Sequence, residues 1–333
     1  MQSVLVHGSH AYMPGALLES EYPLYFSEKA IDVYESKDAL IILGGWAPEL
    51  GGMLAHRHKE KRLVYCVIDA ANTLHTINLM QSGGILQRWL TALIRQDRIE
   101  IARCFYELLK PDVFVVNNPR MEQEFKEACP ESKVVTLHPP RSVDLGLNDF
   151  DRFADADSRL RYVQNGGLNK YIEPNLQSQL ASLELKGVIK LVHPNIEGGY
   201  LEENTLVPPS PQIVISCRKS RAIKINDDLE IDVTDIERDW KPATKYVNAI
   251  SSGSHYIGTL EESVKYLSSG DPLAHLVSSA EEALQALNRV LPIPCHHRRL
   301  LAFDRKRLRQ SSDLSRDRFA EELYYLAVGQ SVG

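Results

Sequence analysis

The segment 239–258, DWKPATKYVNAISSGSHYIG, carries the densest set of groups able to hold a phosphate. Pro242 suits the first turn of a helix, Lys241 stands before it, and Thr244, Lys245 and Asn248 follow on its first turns. A helix start favours an anion through its free N–H groups and dipole, but the dipole contributes only about 0.3–1 kcal/mol, so the lysines would have to supply the rest. Lysine is unfavourable at such a place unless an anion offsets it, which is why two of them are informative. The plainer alternative is a surface helix start with incidental lysines.

A second cluster, Arg218, Lys219, Arg221 and Lys224, follows the apolar run 212–217. If that run is a parallel strand, the cluster lies where open α/β sheets bind ligands and suits a diphosphate, with Arg218 and Lys219 nearest the strand end. Otherwise it is a charged loop. Gly166 and Gly167, after the run 160–164, would let a ligand approach the backbone closely, and His193 closes the run 189–193.

Acid–base chemistry points to the amino-terminal part. His7-Gly8-Ser9-His10 follows the run 3–7, and a histidine with an ordinary pKa of about 6.5 accepts a proton near neutral pH. His10 lies further into the loop than His7. Asp69, which closes the run 63–69, and His75 beyond it compete for the role, with a simple strand-end cap as the plain reading of Asp69. Trp46, within Gly44-Gly45-Trp46, either walls a ring-shaped ligand or anchors its loop. For a metal, His56-x-His58 and His296-His297 lack further ligands at a completing spacing, and Asp155-Ala156-Asp157 falls in an Asp-rich stretch.

These groups need a scaffold, and the pattern supplies one. Short apolar runs at 3–7, 39–44, 63–69, 113–117 and 133–138 suit strands buried on both faces of a parallel sheet. Between the third and fourth lies one long helical pattern, 85–110, closed by Pro111. The stretch 138–158 reads as a linker, after which strand and helix alternate again: 160–164, 175–185, 189–193, 212–217, 244–251, 255–258 and 261–267. The end is helical, at 280–291, 298–310 and 315–328, with Ser315 as an N-cap. The expected division is a domain over 1–150, a second over 151–310, and a terminal helix within 311–333 packing back on the first.

With 333 residues, 44% hydrophobic and 25% charged, the chain is long enough for two packed cores and is not a disordered one. A net charge of −6 gives no bulk attraction to nucleic acid, and the basic tail around 298–318 reads first as a solvated helix face. No run is long enough to span a bilayer, and the first residues lack the pattern of a secretion signal. Five scattered cysteines form no CxxC pair. A cytoplasmic protein with reduced thiols is expected.

KPATKYVNAISSGSHYIGTLEE resembles the donor-domain segment of GT-B glycosyltransferases, the family 4-like or group 1 type, and SRDRFAEELYYL resembles their last helix. The resemblance implies an α/β chain of two facing Rossmann-like, doubly wound parallel-sheet domains with C-terminal helices crossing back. It implies a glycosyltransferase, with hexosyltransferase as the leading class, using a nucleoside diphosphate sugar, UDP ahead of GDP, and no metal. Lys241, Thr244, Lys245 and Asn248 would face the diphosphate and sugar. Gly166, Gly167, His193, Arg218 and Lys219 would complete the donor side. Gly8, Ser9, Trp46 and His75 would lie beside the acceptor, with His10 or Asp69 as general base. The sequence departs from the family at its Glu-x7-Glu pair, where it has Trp240 and Asn248; Glu261 or Glu262 could take the ribose hydroxyls instead, with a solvated helix start as the equal alternative for both.

The acceptor would be a glycan, a glycolipid or a hydroxymethylated DNA base. Two other classes remain: a sugar-nucleotide 2-epimerase, which would turn the donor over alone, and a non-catalytic nucleotide- or sugar-binding protein.

Overall fold

The computed structural model describes residues 2–7, 20–27, 29–43, 61–67, 84–138, 161–165, 173–192, 213–218, 220–225, 227, 229–251, 254–293 and 314–330. By contacts the chain divides into two units. One comprises Met1–Pro139, Ser220–Pro242 and Arg316–Gly333, and the other Pro140–Lys219 and Ala243–Ser315.

The first unit opens with β1 (Val4–His7), β2 (Leu24–Ser27), α1 (Ala30–Glu35), β3 (Ala39–Leu43) and β4 (Leu63–Cys66). It continues with α2 (Ile85–Ile94), α3 (Arg98–Leu109), β5 (Val113–Val116), α4 (Pro119–Ala128) and β6 (Lys133–Thr136). The six strands are parallel in the order β2-β1-β3-β4-β5-β6. β1, β3, β4 and β5 are buried throughout and apolar apart from His7, because both faces of the sheet are covered. Two differences from the sequence reading have physical causes. The pattern 85–110 is two helices, since Gln96 takes a left-handed φ of 56° and the Asp97 side chain accepts from the Glu100 amide at 3.0 Å, capping a new helix. β2 was not foreseen: its short run, LYFS, forms the sheet edge and leaves Tyr25 exposed.

The second unit begins with β7 (Arg161–Asn165), α5 (Pro174–Leu185), β8 (Ile189–Val192) and β9 (Ile213–Ser216). The chain then forms an antiparallel hairpin, β10 (Ala222–Lys224) and β11 (Glu230–Asp232), and a short helix, α6 (Thr234–Trp240), which group with the first unit. It resumes the second with α7 (Thr244–Ser251), β12 (His255–Thr259), α8 (Glu262–Leu267), β13 (Ala274–Val277) and α9 (Ala280–Val290). The sheet order is β13-β12-β9-β7-β8, all parallel.

The excursion over Ser220–Pro242, inside the span 151–310 expected as a second domain, groups by contacts with the first unit. Its cause is apolar burial: Ile223, Ile231, Val233, Ile236 and Trp240 join the core built by α2, α3 and α4. Polar groups fix it there. Asn118 Nδ2 donates to the Asp239 carbonyl at 2.7 Å, Trp240 Nε1 donates to Glu124 at 2.7 Å, and Arg98 pairs with the buried Asp239 at 2.6 Å.

The last helix, α10 (Arg316–Val328), covers the opposite face of the first sheet through Phe319, Ala320, Leu323 and Ala327. Arg62 Nε donates to the Leu326 carbonyl at 2.8 Å. Among the described residues no helix is long and apolar enough to cross a membrane.

Candidate functional site

In the second sheet β7 is flanked by β8 on one side and β9 on the other, so the chain changes direction between β7 and β9. Ligands of doubly wound sheets bind beyond the carboxyl ends of strands at such a point. Arg218 leaves β9 there, and Thr259, Leu260 and Glu261 leave neighbouring β12.

These residues form a connected group. The Arg218 amide donates to Thr259 Oγ1 at 2.9 Å, tying the two strand exits together. Arg218 Nε lies 2.9 Å from Glu261 Oε1, an ion pair set off the hydrogen-bond axis. The carboxylate is 3% exposed and the guanidinium side chain 27%, so the acid lies behind and the base in front. The Tyr256 ring runs along β12 across Gly258. Burial and the nearby Glu261 carboxylate hold the Tyr256 phenol well above its usual range, with Ser216 and Arg218 pulling the other way. Tyr246 meets Tyr256 edge-on at 5.4 Å and donates to Asp271 at 2.8 Å.

Helix α7 packs on β9 and β12 through Ala243, Tyr246 and Ala249. It ends at Ser251, close before β12 begins, so its start lies at the carboxyl edge of the sheet. The charge of Lys245 is accordingly felt at Cys217, whose thiol burial raises to about 12, assisted by Glu261 and opposed by Lys245. Thr244 is the first residue of α7 and half-buried, as is Lys245, while Asn248 lies one turn further on.

The cations singled out in the sequence fall in both units. Lys241 stands before α7, as the sequence has it, and is the C-cap of α6, in the first unit, with its amide bonded to the Glu237 carbonyl at 2.9 Å and its Nζ 4.0 Å from the Glu237 carboxylate. Pro242 precedes α7, whose first backbone bond runs from Val247 to the Ala243 carbonyl. The cation cluster is divided likewise. Arg218 stays with the second unit, whereas Arg221 pairs with Glu237 and Lys224 with Asp227 at 2.8 Å, both in the first.

Glu262, the other candidate for the ribose, pairs with Lys265 at 3.5 Å on the surface of α8. Gly8, Ser9, His10, Trp46, Asp69, His75, Gly166, Gly167, His193 and Lys219 lie outside the described residues. His7 is described: it ends β1, is buried, and stands beside the switch between β1 and β3. Beyond β6, burial lowers the His138 pKa to about 4, against a hydrogen bond to the Asn117 backbone. Among the described residues no group of three metal-ligating side chains occurs. The sequence reading missed Thr259 and the Tyr256–Gly258 brace. Their one signal is a glycine two places after a tyrosine within a strand, on the same face of the sheet.

No protein-family model matches the chain. No curated protein matches it in sequence. Solved structures do match in fold. A UDP-forming trehalose-phosphate synthase from Burkholderia xenovorans superposes with a TM-score of 0.58 at 9% identity, covering 100% of both chains. A sucrose-phosphate synthase from Thermosynechococcus elongatus gives 0.55 at 12% identity over 90% of this chain and 75% of its own. WaaG, a glycosyltransferase involved in lipopolysaccharide biosynthesis, gives 0.51 at 10% identity over 98% and 100%. With two Rossmann-like units in one polypeptide, the chain has the fold of the GT-B glycosyltransferases.

Proposed function

We propose that the chain is a glycosyltransferase that moves a sugar from a nucleoside diphosphate sugar, held by the second unit, to an acceptor hydroxyl. The observation that carries this reading is the exit of Arg218 from the carboxyl edge of β9, beside the switch point of a GT-B-like sheet, with the charge of Lys245 bearing on the neighbouring Cys217. Departure of a nucleoside diphosphate builds negative charge on the leaving oxygens. Arg218, Lys245 and the α7 N–H groups are the fixed positive groups that oppose it, a role that in other enzymes a metal can fill.

UDP is the favoured nucleotide because two solved relatives in fold are described as UDP-forming. Gly166, Gly167, His193, Lys219 and Asn248 are assigned to the donor side by sequence position. Gly8, Ser9, Trp46 and His75 are assigned to the acceptor side, with His10 as general base ahead of Asp69. The four described cysteines are buried and free, which fits the cytoplasm.

The test is a thermal-shift panel of UDP, GDP, ADP and dTDP, followed by turnover of the matching sugar nucleotide. A ligand at 100 times its Kd stabilises the native state by about 2.7 kcal/mol. A shift with one diphosphate, reduced in Lys245→Ala, supports the donor site; no shift with any removes it. Release of the diphosphate only with a glycan or hydroxymethylated DNA present identifies the acceptor. Isomerised donor without acceptor indicates an epimerase, and binding without turnover a binding protein.

A further inference from the structure

We propose that Glu261 is a positioning residue of this site: its carboxylate holds the Arg218 guanidinium at the sheet edge to meet a diphosphate, and it does not serve as a ligand of the ribose. The proposal rests on reading the second unit as a nucleoside diphosphate site.

Three observations carry it. First, the order of exposure is that of a support and the group it supports, with Glu261 at 3% and Arg218 at 27%. A ribose ligand must present its oxygens to solvent before the ligand arrives, and this carboxylate is covered. Second, the 2.9 Å contact is made through Nε, the guanidinium nitrogen nearest the chain, rather than through the terminal fork. That fork is the part of arginine shaped to take two phosphate oxygens at once. Third, both partners are built in from behind. The Arg218 amide is bonded to Thr259 Oγ1 at 2.9 Å, and the Tyr256 phenol, seated where Gly258 leaves room, lies within the electrostatic reach of both charges.

The sign of the electrostatics makes the idea testable. A carboxylate next to a diphosphate repels it, so a Glu261 that acted only as a nearby charge would weaken binding, and removing it would tighten binding. A Glu261 that acts through Arg218 gives the opposite result.

The experiment is calorimetric titration with the tightest binder among UDP, GDP, ADP and dTDP, and with its matching nucleoside, on the wild type and on Glu261→Gln, Arg218→Ala and the double variant. Glu261→Gln is expected to weaken the diphosphate about tenfold while changing nucleoside affinity less than about twofold, and to have no further effect once Arg218 is alanine. Should Glu261→Gln fail to fold, Glu261→Asp, which keeps the charge but shortens its reach, is expected to show the same split. Equal loss of nucleoside and diphosphate, tighter diphosphate binding, or a Glu261 effect that persists without Arg218 would each overturn the proposal and leave the site standing. No binding of any diphosphate by the wild type would remove the site reading and the proposal together.

Discussion

The Asn117 side-chain amide spends both its N–H groups within the first unit, donating to the Val67 carbonyl at 2.8 Å and to the Trp240 carbonyl at 2.7 Å. The loop after β5 thereby holds the last residue of α6, from a part of the chain that sequence order assigns to the other unit. Asn117 is 4% exposed, so truncation withdraws two donors from a buried place. Asn117→Ala is expected to cost about 2–3 kcal/mol in urea denaturation. Amide exchange over Thr234–Trp240 should quicken more than over β4 or β5. A loss below about 0.5 kcal/mol would mean that the apolar contacts of Ile236 and Trp240 alone secure the excursion.

Lys241 and Lys245 should part company in function. Lys245 stands on α7 and acts on Cys217 at the sheet edge, whereas Lys241 caps α6 beside Glu237. Lys245→Ala is expected to weaken diphosphate binding about tenfold, the size of one charged contact to phosphate. Lys241→Ala should alter melting temperature more than affinity. Equal affinity losses in the two variants would show that the lysines act on one anion after all.

Among the described glycines, Gly258 is the one where an added carbon meets another side chain most closely. A Cβ built there overlaps the Tyr256 phenol, and that ring is fully buried against Tyr246. Gly258→Ala is therefore expected to destabilise the chain by about 1–3 kcal/mol through overpacking, in a strand where φ gives alanine no difficulty of its own. Adding Tyr256→Leu, which removes the obstructing ring, should recover part of the loss in the double variant. Additive losses would place the strain elsewhere.

What could be read from the sequence follows the reach of each signal. Runs such as Ala39–Leu43 and Ile213–Ser216 are apolar on both faces, and the helix Thr244–Ser251 has an apolar face and a proline before it, so local pattern located them. The excursion was not legible, because Ile223, Ile231 and Trp240 are as apolar in one core as in another and only long-range packing decides which they join. The same holds at the site. Lys241 was legible as standing before α7, but its capping of α6 was not, because the seven residues 234–240 are too short a run to announce a helix by periodicity. Arg218 was legible as a cation after a strand; its pairing with Glu261 depends on β9 lying beside β12.

Stability should fall on mild acidification through His138. Its folded pKa is depressed to about 4 by burial, against an ordinary value of 6.5, so the unfolded chain takes up the proton first. Folding therefore keeps its full stability above about pH 6.5, loses it at up to about 1.4 kcal/mol per pH unit as the pH falls, and levels off below about 4. His275, also lowered by burial and by Arg289, contributes with the same sign, so the wild type alone does not isolate His138. The measurement is urea denaturation of wild type and His138→Gln at half-unit steps from about pH 7 to 4. The variant cannot titrate at this position, and the difference between the two stabilities should shift steadily in the variant's favour across the window. A constant difference would show that His138 takes its proton in the folded protein as readily as in the unfolded chain, and that burial of its ring does not control the acid side of the stability curve.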